Sequence, residues 1–377
     1  MTSTQIAIVG GGVAGAASAC AFVSLGLDVL VLERRDMARD PNRGDVLDGV
    51  SVSHLERWGA MEEIRGRGPV ELRDLIFSGR RRTLGRVRLP EPWTMLNHAD
   101  IEAALLTTAV SRGAAVQRRT VKVLRLANGK ATLDTDEGEV QAEFVVGADG
   151  GSSLIRRALK IEVDRHEYAE SLVIVHAPRP SWLAQGSGWV MFHPRGGVLI
   201  VPTSPLGRCR IAIFTRPAET RDWLVADAAE IQSRLSERHP ALSELEIERG
   251  HGSHLYRLAR QHARCYHAGP VALVGDAAHV LPPSGGPGMN LAVRDADALV
   301  DLTGPVLRTG SRRNGYLNNA LDAYERRRRP VNASALDRGH RLIRLRAKRS
   351  AYPAAVLATA AVTRVPGLSS LVLRRPR

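Results

Sequence analysis

A chain of 377 residues, 44% of them hydrophobic, can bury a core for one large or two moderate domains. Its formal charge of +14 and isoelectric point near 10.6 point first to nucleic acid or an anionic membrane. The excess is nearly all arginine and is spread along the chain, with lysine only at Lys122, Lys130, Lys160 and Lys348. No zinc finger, RNA-binding signature or aromatic-studded basic face accompanies it, so no nucleic-acid partner is expected, and an anionic substrate or phosphorylated cofactor fits better. Cys20, Cys209 and Cys265 are odd in number and lack paired spacing, which argues against a disulfide framework or a zinc site. A glycine-rich turn begins at once where a leader would stand, and the apolar run 354–362 is too short to span a bilayer. The expectation is a soluble cytoplasmic protein without stable membrane insertion.

Residues 5–9 are a β-branched apolar run, followed by Gly10-Gly11-Gly12-Val13-Ala14-Gly15 and a helical stretch over 16–25. The glycines stand at G-x-G-x-x-G positions: Gly10 for the tight turn, Gly12 for close approach of a pyrophosphate, Gly15 for packing of helix on strand. A second strand over 28–32 ends at Glu33, whose carboxylate can accept ribose hydroxyls, and Arg34 follows. This pattern predicts an ADP-ribose moiety without separating NAD from FAD. Residues 36–48 read as a polar loop holding Arg43, a guanidinium placed to meet phosphate or flavin. A helix is expected over 54–61, strand signal over 70–89 with a hairpin tip at Arg80-Arg81-Arg82, and a helix over 97–109.

Strands are expected over 115–126 and 130–134, joined through Asn128-Gly129. The buried strand 144–146 leads into D-G-x-x-S-x-x-R, with Asp149, Ser153 as a helix cap and Arg156. Four strands over 172–177, 188–193, 198–202 and 209–214 predict an antiparallel sheet, and a helix follows over 226–238. Alternation puts Trp189, Met191 and His193 on one face, proposed to line a substrate pocket. The strand 271–274 ends at Gly275-Asp276. Pro282-Pro283, Gly285, Gly286 and Gly288 then allow a close backbone approach before a helix near Met289, an arrangement suited to a flat polar cofactor. That helix carries Asp295 and Asp297 and is expected to close at Gly304-Pro305. Another ends in Arg326-Arg327-Arg328-Arg329-Pro330, read as a solvated basic face, and a last one covers 331–350.

Taken together, G-x-G-x-x-G, D-G-x-x-S-x-x-R and G-D-A-A-H with P-x-x-G-x-G-x-N resemble the single-component FAD-dependent monooxygenases of the para-hydroxybenzoate hydroxylase type. The resemblance implies an α/β fold: a Rossmann-like FAD-binding domain (1–75, 95–165, 268–330), an inserted antiparallel-sheet substrate domain (76–94, 166–267) and C-terminal helices (331–377). It implies that Glu33 holds the adenosine ribose and that Asp149 with Arg156 supports FAD and passing NAD(P)H. It places Asp276 at the ribityl or pyrophosphate region, Pro283, Gly288, Met289 and Asn290 beside the isoalloxazine, and Arg43 beside the flavin. Two positions depart from the pattern: His98 stands where many members have arginine, and Pro287 where many have glutamine. The implied chemistry is reduction of FAD by NADH or NADPH, addition of O2 at the flavin C4a, and oxygen transfer from the hydroperoxide to a small electron-rich molecule. Asp48, His54 and His193 are the side chains weighed for deprotonating a phenol. The alternatives are an epoxidase, amine N-hydroxylase, isoprenoid reductase or halogenase, the last lacking its W-x-W-x-I-P signature here, and a non-catalytic flavin-binding partner protein. Substrate identity and oligomeric state stay open.

Overall fold

The computed structural model describes residues 2–35, 44–80, 82–127, 129–248, 254–282, 287–309 and 315–347. The chain opens with β1 (Thr2–Val9), α1 (Val13–Val23) and β2 (Val29–Glu33), a right-handed β-α-β start in which β1 and β2 pair in parallel. α1 is built of small residues and buried along nearly its whole length, because it is wedged between the sheet and two later helices. Next come β3 (Gly44–Leu47), α2 (Gly49–Arg57), α3 (Met61–Gly66), β4 (Val70–Ser78), β5 (Thr83–Asn97) and α4 (His98–Ser111). They are followed by β6 (Ala115–Arg118), β7 (Val121–Ala127), β8 (Lys130–Thr135), β9 (Gly138–Gly147) and α5 (Leu154–Ala158). The middle of the chain supplies β10 (Val163–Pro178), β11 (Ser187–Met191), β12 (Val198–Thr203), β13 (Arg208–Thr215), α6 (Pro217–Val225) and α7 (Ala228–Ser236). The last elements are β14 (His254–Ala263), β15 (His267–Ala268), β16 (Val271–Leu273), β17 (His279–Val280), α8 (Pro287–Thr309) and α9 (Tyr316–Ala347).

Among the described residues these strands form two sheets. The first has the order β15-β16-β9-β1-β2-β6, with β8 and β7 added beside β9, and its central pairings are parallel. Its central strands are apolar on both faces over residues 6–9, 29–32, 144–146 and 271–273, as burial between helices requires. The second has the order β17-β14-β10-β13-β12-β11-β4-β5-β3 and is antiparallel except where β11 runs parallel to β4. α6, α7 and the turn Pro240–Glu244 cover one face, where Trp189, Met191, Ile200 and Ile213 pack on Trp223, Ile231, Leu235 and Leu242. On the other face lie Val46, Leu75, Met95 and Val201, with the half-buried Phe77, Trp93, Val190 and Leu199 beside them. Further along that face Leu172, Ile174, Ala212 and Leu258 meet Ile343 of α9.

Connectivity bends this sheet. Nine strands lying flat would separate the edges by about 38 Å. The edge strand β17 ends at Val280, and the other edge, β3, gives its Val46 carbonyl to the Asn290 side chain at 2.7 Å. Ten residues of chain, the last few helical, reach about 30 Å at most. The sheet therefore arches, with both ends fastened to the segment around 275–294.

Several boundaries differ from expectation. β3 and β4 belong by hydrogen bonding to the second sheet, so it begins earlier in the chain than residue 76. The expected strand 115–126 is two strands, since β6 pairs with β2 while β7 turns away to β8. The expected helix 54–61 is α2, begun at Asp48, then a break where Gly59 takes φ +72°, then α3. α8 does not stop at Gly304-Pro305: a Cβ on Gly304 would overlap Leu25, so the glycine serves contact with the end of α1, and Pro305 lies on the exposed side. α9 likewise runs through Pro330, also exposed, where the carbonyl freed one turn back can face water.

Candidate functional site

The three motifs meet. β1, β9 and β16 lie side by side in parallel, so the turns after them open at one edge of the sheet, the edge where such sheets bind ligands. Gly10, at φ +104°, is so close to the second turn that a Cβ would stand 2.5 Å from the Ala148 oxygen and 3.1 Å from the Asp149 Cα. Gly275, at φ +57°, would bring a Cβ to 2.6 Å from that of Ala14 and 3.3 Å from that of Ala292, so it locks the third turn between α1 and α8. A Cβ on Gly15 would overlap the Gly10 carbonyl oxygen, which is why α1 can start directly on the strand. Gly12 is the N-cap of α1 and offers no side-chain cap, so the first amides of the helix face an anion site. Val13 and Ala14 contribute backbone there, Val13 being buried.

Glu33, 8% exposed at the end of β2, accepts from the Gly11 amide at 2.6 Å and from the amide and Nε of Arg35 at 2.8 and 3.1 Å. Burial pushes its pKa up, but the Arg35 bonds and the Gly11 amide more than reverse this, so it is held below the ordinary glutamate value. Arg34 is exposed, and Arg35 is the arginine engaged with Glu33. Arg35 also lies 3.7 Å from Glu102 of α4, which is 3% exposed and 3.0 Å from the Nε2 of His98 one turn earlier.

Asp149 and Arg156 hold the second turn in shape. Asp149 accepts from Ser153 Oγ at 2.5 Å and from the amides of Leu154 and Ile155 at 2.6 and 3.1 Å. Ser153 caps α5 by accepting from the Arg156 amide at 2.9 Å. The buried Arg156 guanidinium donates to the carbonyls of Ala277 and Gly151 at 2.8 and 2.9 Å, tying the second turn to the third. Asp276 is exposed in the turn Gly275–Ala277. α8 begins at Pro287, so Gly288, Met289 and Asn290 belong to its first turn. The Met289 side chain packs in the core, and Asn290, fully buried, accepts from the Asp48 amide at 2.9 Å while donating to Val46. Arg43, Pro283 and Gly286 lie outside the described residues.

The side chains weighed for substrate contact have partners within the fold. Asp48 caps α2 through the Ser51 amide at 3.0 Å and pairs with buried Arg294 at 2.7 Å, a helix-to-helix tie. Trp189 and Met191 pack on α6 and α7, and alternation puts Val190 on the opposite face of the sheet. His54 of α2 lies 3.3 Å from Asp297 of α8 and stacks on Trp58. His193 sits on a turn where burial, then Arg238, Arg195, Arg80 and Arg216, lower its pKa to about 4. Cys20 and Cys209 are buried thiols, pushed up to about 12 by burial, and Cys265 is half-buried.

Sequence reasoning missed a polar hub beneath the third turn. Asp295, with no exposure, accepts from the Gly275 amide at 3.2 Å, His279 Nε2 at 2.5 Å, Arg328 Nε at 2.7 Å and Asn332 Nδ2 at 3.0 Å. Its neighbour Tyr266 takes a bond from Asn332 at 3.2 Å and lies 2.8 Å from His262. The signal was present: Leu321, Tyr324, Arg328 and Asn332 recur at helical spacing, which turns Arg328 inward while Arg327 pairs with Asp301 outside. The arginine run is therefore a solvated face with one buried member.

The glycine cradle, the uncapped N-terminus of α1 and the buried acid at the end of β2 fit an ADP-bearing dinucleotide such as FAD. A family model described as an FAD binding domain matches residues 3–339. A 3-demethoxyubiquinol 3-hydroxylase of Escherichia coli is 28% identical over 318 residues, covering 79% of each chain. A 6-methylpretetramide 4-monooxygenase of Streptomyces rimosus is 29% identical over 395 residues, covering 99% of this chain and 91% of its own. The crystal structure of PqsL, a probable FAD-dependent monooxygenase from Pseudomonas aeruginosa, has the same fold, with TM-score 0.82 at 23% identity over 95% of this chain and 100% of that one.

Proposed function

The chain belongs to the FAD binding domain family, and on that premise we propose that it uses NAD(P)H and O2 to hydroxylate a small aromatic or otherwise electron-rich molecule as an FAD-dependent monooxygenase. The observation that carries the reading is the meeting of three glycine-bearing turns, with both edges of the second sheet fastened to the segment that follows the third of them. When bound, FAD supplies the redox chemistry, taking reducing equivalents from NAD(P)H and activating O2. The chain's own residues place and shield it. Gly12 and the first turn of α1 receive the diphosphate, and Glu33 holds the adenosine ribose. The first-turn amides of α8 favour negative charge at the reactive end of the ring, as an oxyanion hole does. The arched sheet face with Phe77, Trp93, Val190 and Leu199 excludes water above it and offers apolar area to an aromatic ring. No described histidine among those weighed is assigned to a proton step. His54 is committed to Asp297, and His193, with its lowered pKa, is a poor base at neutral pH.

The test is an absorption spectrum of the purified protein followed by turnover with labelled oxygen gas. A flavin spectrum, NAD(P)H oxidation accelerated by an electron-rich aromatic, and one labelled oxygen atom in the product are expected. A colourless protein that cannot be reconstituted with FAD, or label arriving from water, sinks the reading.

A further inference from the structure

Resting on the reading that this chain binds FAD, we infer that Glu102, Arg35 and His98 set the charge balance at the diphosphate subsite, Glu102 opposing cofactor binding and Arg35 supplying the cation that overcomes it. The atoms nearest to where a Cβ of Gly12 would stand are Glu102 Oε1 at 3.3 Å and an Arg35 terminal nitrogen at 3.9 Å. One carboxylate of the chain thus stands beside the helix start that draws the diphosphate. Glu102 is 3% exposed, so water screens it weakly, and a second anion arriving there is repelled.

Arg35 is the counterweight. Its side chain is about half exposed, bonded to Glu33 on one side and 3.7 Å from Glu102 on the other. On Glu33 it occupies the lone pairs that ribose hydroxyls need. Entry of the adenosine half therefore hands Glu33 to the ribose and turns the guanidinium toward the diphosphate, where its planar fork suits phosphate oxygens. At the position where the resemblance calls for an arginine, this chain has His98, the first residue of α4, 3.0 Å from Glu102 Oε1 and drawn to that acid. Arg35, reaching in from the end of β2, takes over the missing cation's work.

The full chain, freed of flavin, is titrated with FAD by flavin fluorescence, which reads affinity without turnover. Glu102→Gln is expected to bind FAD about tenfold tighter and Arg35→Gln about tenfold more weakly, and adding His98→Arg to Arg35→Gln to restore affinity to within about threefold. Thermal unfolding without FAD accompanies each variant, so that a folding defect is seen as such. An unchanged or weaker affinity for Glu102→Gln, or an unchanged one for Arg35→Gln, overturns the inference while leaving the FAD reading intact. Failure of the unaltered chain to take up FAD overturns both.

Discussion

At the scale of single residues the most exacting position is Asp295. Burial raises its pKa, but the His279 and Arg328 charges and bonds outweigh it, so the carboxyl stays well below the usual carboxylate range. Its contribution is complete above the unfolded value of 3.8 and is lost only as pH falls below that. Asp295→Asn strands a buried guanidinium and is expected to cost about 3–5 kcal/mol in urea unfolding, whereas the pair Asp295→Leu with Arg328→Met recovers a large part of it. A loss under about 1 kcal/mol for the single change would contradict this account. His262 also loses stability on acidification, but at higher pH. Burial, then the His279, Arg329 and Arg260 charges, lower its pKa from 6.5 to about 4. Its Nε2 lies 2.8 Å from the Tyr266 hydroxyl, which also accepts from Asn332. The native state then binds fewer protons than the unfolded one between pH 6.5 and 4, and stability falls across that window on acidification, by about 3 kcal/mol at most. Melting temperature is expected to be flat from pH 8 to 7 and to drop below 6.5, with a shallower drop in His262→Gln.

Between elements, two glycines that look alike in sequence differ in what they touch. A Cβ on Gly15 runs into the Gly10 backbone carbonyl, which cannot move without unseating α1 from β1, so Gly15→Ala is expected to cost about 3 kcal/mol or more. On Gly304 the obstacle is the tip of the Leu25 side chain, which can rotate, and alanine favours the helix. Gly304→Ala is therefore expected to stay within about 1 kcal/mol of the parent in denaturant unfolding. Equal effects would mean that the contact of α8 with α1 is as rigid as the turn. The same distinction explains α9. A proline and four arginines suggest an ending, yet the inward stripe of Leu321, Tyr324, Arg328 and Asn332 keeps the helix whole, because tertiary packing outweighs local propensity.

For the molecule as a whole, the second sheet is held at both edges by the segment that also closes the cofactor turns, which couples the two sheets. A single calorimetric transition is expected, moved upward as one by FAD, by about 2.7 kcal/mol at a hundredfold excess over Kd. Two transitions, only one of them moved, would show that the sheets unfold separately. From the amino-acid order alone came the three motifs, most strands and the family resemblance, because glycine at forced turns, β-branched runs and caps such as Ser153 are written locally. What only the folded chain decided are the choices that depend on contacts far apart: which face of the second sheet Trp189 and Met191 take, the use of Asp48 as a cap paired with Arg294, the engagement of Arg35 rather than Arg34 by Glu33, and the burial of Arg328 against Asp295. Alternation and helical period tell which residues share a face. They do not tell which face looks inward, since that is set by what packs against it from elsewhere in the chain.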